Sequence, residues 1–204
     1  MALFDLPAGK RLAICGQTGS GKTTLARRFL ERSEYHWVIF NPKHTPIYSQ
    51  LPNRTILYKW SEWRLKQSIK NYRFTVLNFS DSWDWKTMDS LIIWLRRQFV
   101  NIGFCIDELY TIHHGGYPGP GLSGLITQGR ELRQSFMGLT QRPAFISKFV
   151  FSEADYVAEF RLRLEDDRKM VYRNTGVQAA MNVWQDHDFL YLDVVNNKAT
   201  IYTS

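Results

Sequence analysis

The chain has 204 residues, 44% of them hydrophobic and 15% aromatic, which fits a folded protein with a substantial core and excludes a disordered one. Its longest apolar runs, such as LIIWL at 91–95, fall far short of the roughly 20 residues of a membrane span. The N-terminus carries Asp5 and no charged-then-apolar export pattern, so a soluble intracellular protein is expected. The formal charge of +7 favours an anionic partner, with the basic residues dispersed (Arg27-Arg28, Arg96-Arg97, Arg161, Arg163, Arg168-Lys169) and not gathered in one arm.

In chain order, KRLAIC (10–15) reads as a short buried strand that runs into the glycine-rich GQTGSGKT. Leu25, Ala26, Phe29 and Leu30 then recur on one face of a helix from about Lys22 to Arg32. HWVIFN (36–41) is a second strand, ended by Pro42. TILYKW (55–60) and RFTVLNFS (73–80) read as further strands flanking a helical SEWRLKQSIK (61–70). Met88, Leu91, Ile92, Leu95 and Phe99 mark a helix from about Lys86 to Val100, and IGFCID (102–107) is another buried strand. HHGGYPGPGLSG (113–124) is the one flexible-looking stretch, and a helix is expected from Leu122 to about Gln134. FMGLT (136–140) and the alternating DYVAEFRLRL (155–164) are strands, and residues 188–203 read as two strands joined at Asn196-Asn197.

Alternating strands and helices imply an α/β sandwich with a mainly parallel central sheet, the terminal hairpin adding antiparallel edge strands. Without repeats or a long linker, residues 1–204 are expected to form a single domain, its core at about 8–165 and a C-terminal extension at about 166–204. Cys15 and Cys105 each sit in an apolar run, so inert core thiols are expected, not a disulfide framework or a zinc site.

The spacing Gly16-x-x-x-x-Gly21-Lys22-Thr23 is a phosphate-binding loop pattern, and it lies between a strand and a helix as its mechanism requires. Backbone N–H groups across Gly16, Gln17, Thr18, Gly19, Ser20, Gly21, Lys22, Thr23 and Thr24 can turn toward phosphates at the positive end of the helix. Lys22 would reach the β and γ phosphates of ATP, and the Thr23 hydroxyl would serve Mg²⁺. Asp107, at the end of an apolar strand, suits the carboxylate that holds the magnesium water shell. Glu108 directly after it can polarise a water for attack on the γ phosphate, and the Asp-Glu pair favours hydrolysis. Gln141, after the FMGLT strand and before Arg142-Pro143, can bond both the γ phosphate and the attacking water; taken alone it reads equally as a strand terminus.

Together GQTGSGKT, CIDE and GRELRQSFMGLTQRP resemble the FtsK–HerA superfamily of nucleic-acid-pumping ATPases, especially the genome-packaging ATPases of turreted icosahedral archaeal viruses. The resemblance implies a three-layer P-loop fold of the ASCE type, with sheet order 5-1-4-3-2 and the Gln141 strand between the loop strand and the Asp107–Glu108 strand. Cys15 and Cys105 would then lie about 9.6 Å apart laterally, beyond the roughly 7 Å limit for a disulfide. It implies a Mg²⁺-dependent ATPase that translocates double-stranded DNA without sequence preference into a preformed capsid. It also implies a ring, a hexamer or a pentamer at a capsid vertex, in which an arginine completes the neighbour's site. Arg130 stands at the matching position, with Arg133 as the alternative. Capsid-vertex or membrane proteins are further implied partners, and the place of action would be the host cytoplasm during assembly, with retention at a virion vertex as a variant. The N-terminal barrel and terminal winged helix of larger members have no counterpart in the sequence.

Two other readings fit the loop: a nucleoside or nucleotide kinase, and a non-catalytic scaffold that binds nucleotide to assemble or to hold DNA. His113-His114 reads as a loop feature and not a metal site, and the glycine-rich loop it opens can offer backbone N–H groups to DNA phosphates. Trp60, Trp63, Trp83, Trp85 and Trp94 read as core and interface packing ahead of base stacking, with DSWDWK (81–86) as a candidate exposed loop.

Overall fold

The computed structural model describes residues 5–78, 84–114 and 116–203. In chain order it forms β1 (Arg11–Cys15), α1 (Lys22–Arg32), β2 (His36–Phe40), β3 (Arg54–Leu57), α2 (Glu62–Asn71), β4 (Phe74–Leu77), α3 (Trp85–Gln98) and β5 (Ile102–Ile106). There follow the short β6 (His113–His114) and β7 (Tyr117–Pro118), α4 (Pro120–Gln128), β8 (Ser135–Thr140), α5 (Phe149–Ser152), β9 (Tyr156–Phe160), α6 (Glu165–Thr175), β10 (Phe189–Asp193) and β11 (Lys198–Tyr202). Among the described residues no helix is long and apolar enough to cross a membrane.

One sheet runs β11-β10-β9-β1-β8-β5-β2-β4-β3. Every neighbouring pair from β9 to β3 is parallel, and β10 and β11 pair antiparallel. The run β9-β1-β8-β5-β2 reproduces the expected 5-1-4-3-2 order. The sheet is longer than that core by two strands at each edge, because α2 carries the chain from β3 to β4 beyond β2 and the terminal hairpin adds to β9.

Side chains alternate across the sheet, as a sheet covered on both faces demands. Ala13, Val38, Phe104, Val157 and Leu190 face the cluster under α3, α4, α5 and α6. Ile14, Trp37, Met137, Ala158 and Phe189 face the cluster under α1. Cys15 belongs to the first cluster and Cys105 to the second, so the two thiols lie on opposite faces with β8 between their strands. Both are free and buried.

Several segments differ from the sequence reading. α4 begins at Pro120, two residues earlier than expected, because the Asp89 carboxylate on α3 accepts from Gly121 N (2.9 Å) and Leu122 N (2.8 Å) and satisfies its open N-terminus. It also ends sooner, at Gln128: residues Gly129–Leu132 tighten into a 3-10 turn closed by Arg133 in the left-handed region (φ 54°). Where described, the glycine-rich stretch opens with a small hairpin of β6 and β7. TILYKW supplies a strand only through Leu57. α6 escaped the sequence reading, although three acids in its first turn and Gly176 in the left-handed region after its end mark both termini. Residues 81–83 of DSWDWK lie outside the described residues; its second half is not a loop but opens α3, with Asp84 capping the helix by accepting from Thr87 N at 2.8 Å.

At the starting edge of the parallel strands Asp155, almost fully buried, accepts from Lys10 Nζ, Arg11 N and Nε, and Arg130 Nη2 at 2.7–3.3 Å. Burial alone would push this carboxyl up. The hydrogen bonds and charges of Lys10 and Arg11 outweigh that and leave it lowered.

Glu159 contrasts with it. It stands beside Cys15 in register, wholly buried, and burial pushes its carboxyl up to about 9 against the opposing charge of Arg168. It is therefore protonated at neutral pH. An acid whose folded pKa is raised costs stability progressively from its unfolded value upward, until the folded pKa is reached. Glu159→Gln is isosteric and removes this proton linkage. Its stability relative to the parent should gain by about 3 kcal/mol between pH 4.5 and pH 7, levelling off above pH 9. Urea denaturation across that range checks it; a pH-independent difference would contradict the linkage.

Candidate functional site

The loop leaving β1 cannot be built from ordinary residues. Gly16, Gly19 and Gly21 take φ of 150°, 78° and 106°. At Gly16 a Cβ would lie 2.5 Å from the Cβ of Phe160. The loop hangs from its two neighbouring strands, Gly16 N donating to Thr140 O (3.2 Å) and Gln17 N to Arg161 O (3.0 Å). α1 then starts at Lys22 with no side-chain cap and no acid in its first turn, so its unpaired N–H groups and positive end remain available to an anion. Lys22 is largely buried and donates from Nζ to Gln17 O at 2.7 Å. Burial lowers its pKa, while Glu108 and Asp107 pull it back up. Thr23 is half-buried one residue on and Thr24 is exposed.

Because β1, β8 and β5 are parallel neighbours, Gly16, Gln141 and Asp107–Glu108 all emerge at one end of the sheet. Gln141 joins them: Thr18 Oγ1 donates to its Oε1 (2.7 Å), and its Nε2 donates to Glu108 Oε2 (2.8 Å). Asp107 is nearly buried; burial and the neighbouring Glu108 charge raise its pKa, opposed by Thr45, Tyr48 and Lys22. Glu108 occupies the left-handed region (φ 72°, ψ 70°), a strained place for a residue with a side chain. From β2 a loop of residues 41–46 reaches over both acids: Thr45 Oγ1 donates to Asp107 Oδ2 (3.3 Å), and Lys43 Nζ meets Glu108 Oε2 at 2.5 Å. Behind Gln141, the buried Asp167 of α6 accepts from Arg142 Nε and Ala144 N, both at 3.0 Å, and so anchors the segment after β8.

On the other side of the loop is a cavity of about 700 Å³. Gly19, Gly21 and Thr24 form its loop wall, and Phe160, Phe189 and Tyr202 the opposite one. These rings are cross-strand neighbours on β9, β10 and β11, stacked at centroid distances of 4.7 and 4.9 Å. Lys22, Thr23, Leu25, Arg28, His187 and Thr203 complete the lining. An apolar, aromatic cavity beside a phosphate loop has the shape and chemistry for a nucleoside base. The sequence reading missed it, as it missed Lys43 and Thr45. Tyr202 lies some 180 residues from the loop, and only strand pairing brings them together.

The loop residues, Asp107, Glu108 and Gln141 thus converge. Arg130 and Arg133 do not join them: both sit near the start of β1, away from this chain's own loop, with Arg130 Nη2 on Asp155 Oδ1 (2.7 Å) and more than half of its side chain exposed. His113 is buried and its Nδ1 pairs with Leu109 O at 2.8 Å, a structural bond. Trp60 and Trp94 pack against the core, 6.4 Å apart, whereas Trp63 is exposed. Trp83 lies outside the described residues.

No protein-family model matches the chain. The DNA packaging ATPase P9 of Enterobacteria phage PRD1 is 25% identical over 206 residues, covering 95% of this chain and 86% of that protein. Among solved structures, the genome packaging NTPase B204 of Sulfolobus turreted icosahedral virus 2, in complex with AMPPCP, superposes with a TM-score of 0.73 at 18% identity, over 97% of this chain and 99% of that one. VirB4 of Thermoanaerobacter pseudethanolicus shares the fold at a TM-score of 0.65 and 9% identity, over 94% and 88% of the two chains. The chain is thus similar in sequence to a phage DNA packaging ATPase and shares its fold with a viral genome packaging NTPase.

Proposed function

We propose that the chain is an ATP-hydrolysing motor that drives double-stranded DNA into a viral capsid. The observation that carries the chemistry is the line of contacts from Thr18 through Gln141 to Glu108, which joins the phosphate loop to a water-activating carboxylate across three adjacent strand ends. The loop N–H groups and Lys22 hold the phosphates, Lys22 exchanging Gln17 O for a phosphate oxygen. Glu108 takes the proton of the attacking water, and Gln141, displaced from Thr18 by the γ phosphate, reports its presence. The Thr23 hydroxyl and the Asp107 carboxylate are an all-oxygen donor pair suited to a hard divalent cation, so Mg²⁺ fits here. Bound there, it would neutralise charge on the β and γ phosphate oxygens. The base would lie against the Phe160–Phe189–Tyr202 ladder.

The DNA grip is electrostatic, in keeping with the +7 charge, and weakens with salt. We further infer that the chain works as a ring at a capsid vertex during assembly. Arg130 or Arg133, both placed away from their own loop, would serve the neighbouring subunit, a contribution of about 10³ to 10⁵ in rate. Residues 1–204 act as one motor domain in this reading.

ATP turnover by the purified protein, with and without long double-stranded DNA, tests the proposal. DNA should raise the rate, and Glu108→Gln should lower kcat by about 100-fold or more while leaving ATP binding intact. A phosphoryl group appearing on a nucleoside would favour the kinase reading; Glu108→Gln indistinguishable from the parent would favour the scaffold. The base site has its own test. Tyr202→Ala, at the rim of the ladder, should raise the KM for ATP about tenfold through lost stacking, with little change in kcat.

A further inference from the structure

A second cavity, of about 370 Å³, adjoins the phosphate loop and shares no lining residue with the aromatic one. Gln17 and Thr18 of the loop, Gln141 and Arg142 after β8, and Arg161 and Arg163 after β9 all line it. Three guanidinium groups thus face one carboxylate, Asp167, and that carboxylate is already engaged. Its Oδ2 accepts from Arg142 Nε and its Oδ1 from Ala144 N, each at 3.0 Å. Arg161 reaches outward to the largely exposed Asp186 (2.7 Å), and its buried Nε meets no acceptor among the described residues. The Arg163 side chain is exposed and has no partner among the described residues. Its backbone is nevertheless fixed, because Arg168 Nη1 donates to both Leu162 O (2.6 Å) and Arg163 O (2.7 Å). The surplus positive charge is therefore held in place beside the loop, which itself hangs from Arg161 O through Gln17 N (3.0 Å).

Hydrolysis at the loop would leave ADP and inorganic phosphate side by side, two anions that repel. ADP would still fill the loop and the aromatic cavity, so a phosphate that leaves first needs another way out. Thr18 and Gln141, joined at 2.7 Å, stand between the loop and the arginine-lined cavity. In the proposed mechanism the γ phosphate parts them, so that this side is open when the phosphate is freed. Arginine suits the oxygens of a phosphate, and a cleft of one sign of charge draws the opposite ion into it. We propose that this cavity is the exit for inorganic phosphate, with Arg161 and Arg163 as the groups that draw it out ahead of ADP. The idea rests on the ATPase reading.

Single turnovers of the parent, Arg163→Glu and Arg163→Lys, with long double-stranded DNA present, test it. ADP formation is followed by acid quench and free phosphate by a fluorescent phosphate-binding protein. Arg163→Glu should lengthen the lag between the two about fivefold or more, and Arg163→Lys, which keeps the charge, should match the parent. In steady state, added inorganic phosphate should lower the parent's kcat without raising its KM for ATP, since exit and loop are separate places, and Arg163→Glu should need several-fold more of it. The exit is wrong if the lag is the parent's in Arg163→Glu, or if phosphate only competes with ATP. It is equally wrong if ADP formation slows as much as release, which would give Arg163 to the chemistry, or if DNA affinity alone falls, which would give it to a DNA phosphate. A parent that forms no ADP overturns the ATPase reading, and the exit with it.

Discussion

Everything at this site depends on β1 being an interior strand with β8 on one side and β9 on the other. A phosphate loop is a short length of backbone whose N–H groups must point inward, away from ladder partners, and such backbone drifts unless something fixes its ends. Here the two strands that flank β1 provide the anchors, Thr140 O for Gly16 N and Arg161 O for Gln17 N. The closeness of β9 is what forbids a side chain at Gly16, since Phe160 occupies that space. The same adjacency sets Gln141, the residue after β8, beside Thr18. The geometry of the loop and the placing of Gln141 are one consequence of strand order.

The edges of the sheet serve the centre unequally. Toward β2 the sheet contributes a loop that crosses over the two acids. Toward β9 it changes direction, and the antiparallel β10 and β11 set Phe189 and Tyr202 alongside Phe160 to wall the cavity by the loop. The opposite ends of the strands are held by charge: Asp155 collects Lys10, Arg11 and Arg130, and its lowered pKa marks it as a carboxylate well compensated for burial. The protonated Glu159 shows the other solution to the same problem, a buried acid made neutral instead of paired.

The parts legible in the sequence were those whose signal is local. A strand, a glycine spacing and an amphipathic helix follow one another within residues 10–32, so α1 was placed to the residue. Apolar runs ending in Asp107-Glu108 and Gln141 announced strand ends by an abrupt change of polarity. What stayed hidden depends on contacts between distant segments. The start of α4 is fixed by Asp89, over thirty residues earlier, and no pattern around Pro120 reports that. Lys43 looked like one dispersed basic residue because its meaning lies in Glu108, 65 positions on. The aromatic ladder likewise exists only after β9, β10 and β11 have paired.

The polar groups around Glu108 form a chain, Thr18 to Gln141 to Glu108 to Lys43, alongside the Lys22 bond to Gln17 O. The Thr18 end of this line is a contact that a bound γ phosphate would compete for. Gln141 has one carbonyl and one amide, both in use; turned to a phosphate and a water, it must give up Thr18 and Glu108. Such a network has two satisfied arrangements and few intermediate ones, because a buried polar group left without a partner is costly. Glu108, in a left-handed backbone that strains a residue with a side chain, stands at the middle of the chain of contacts. A site of this construction would respond to bound nucleotide in steps and not by degrees, the behaviour the proposed motor needs if each ATP is to move its load once.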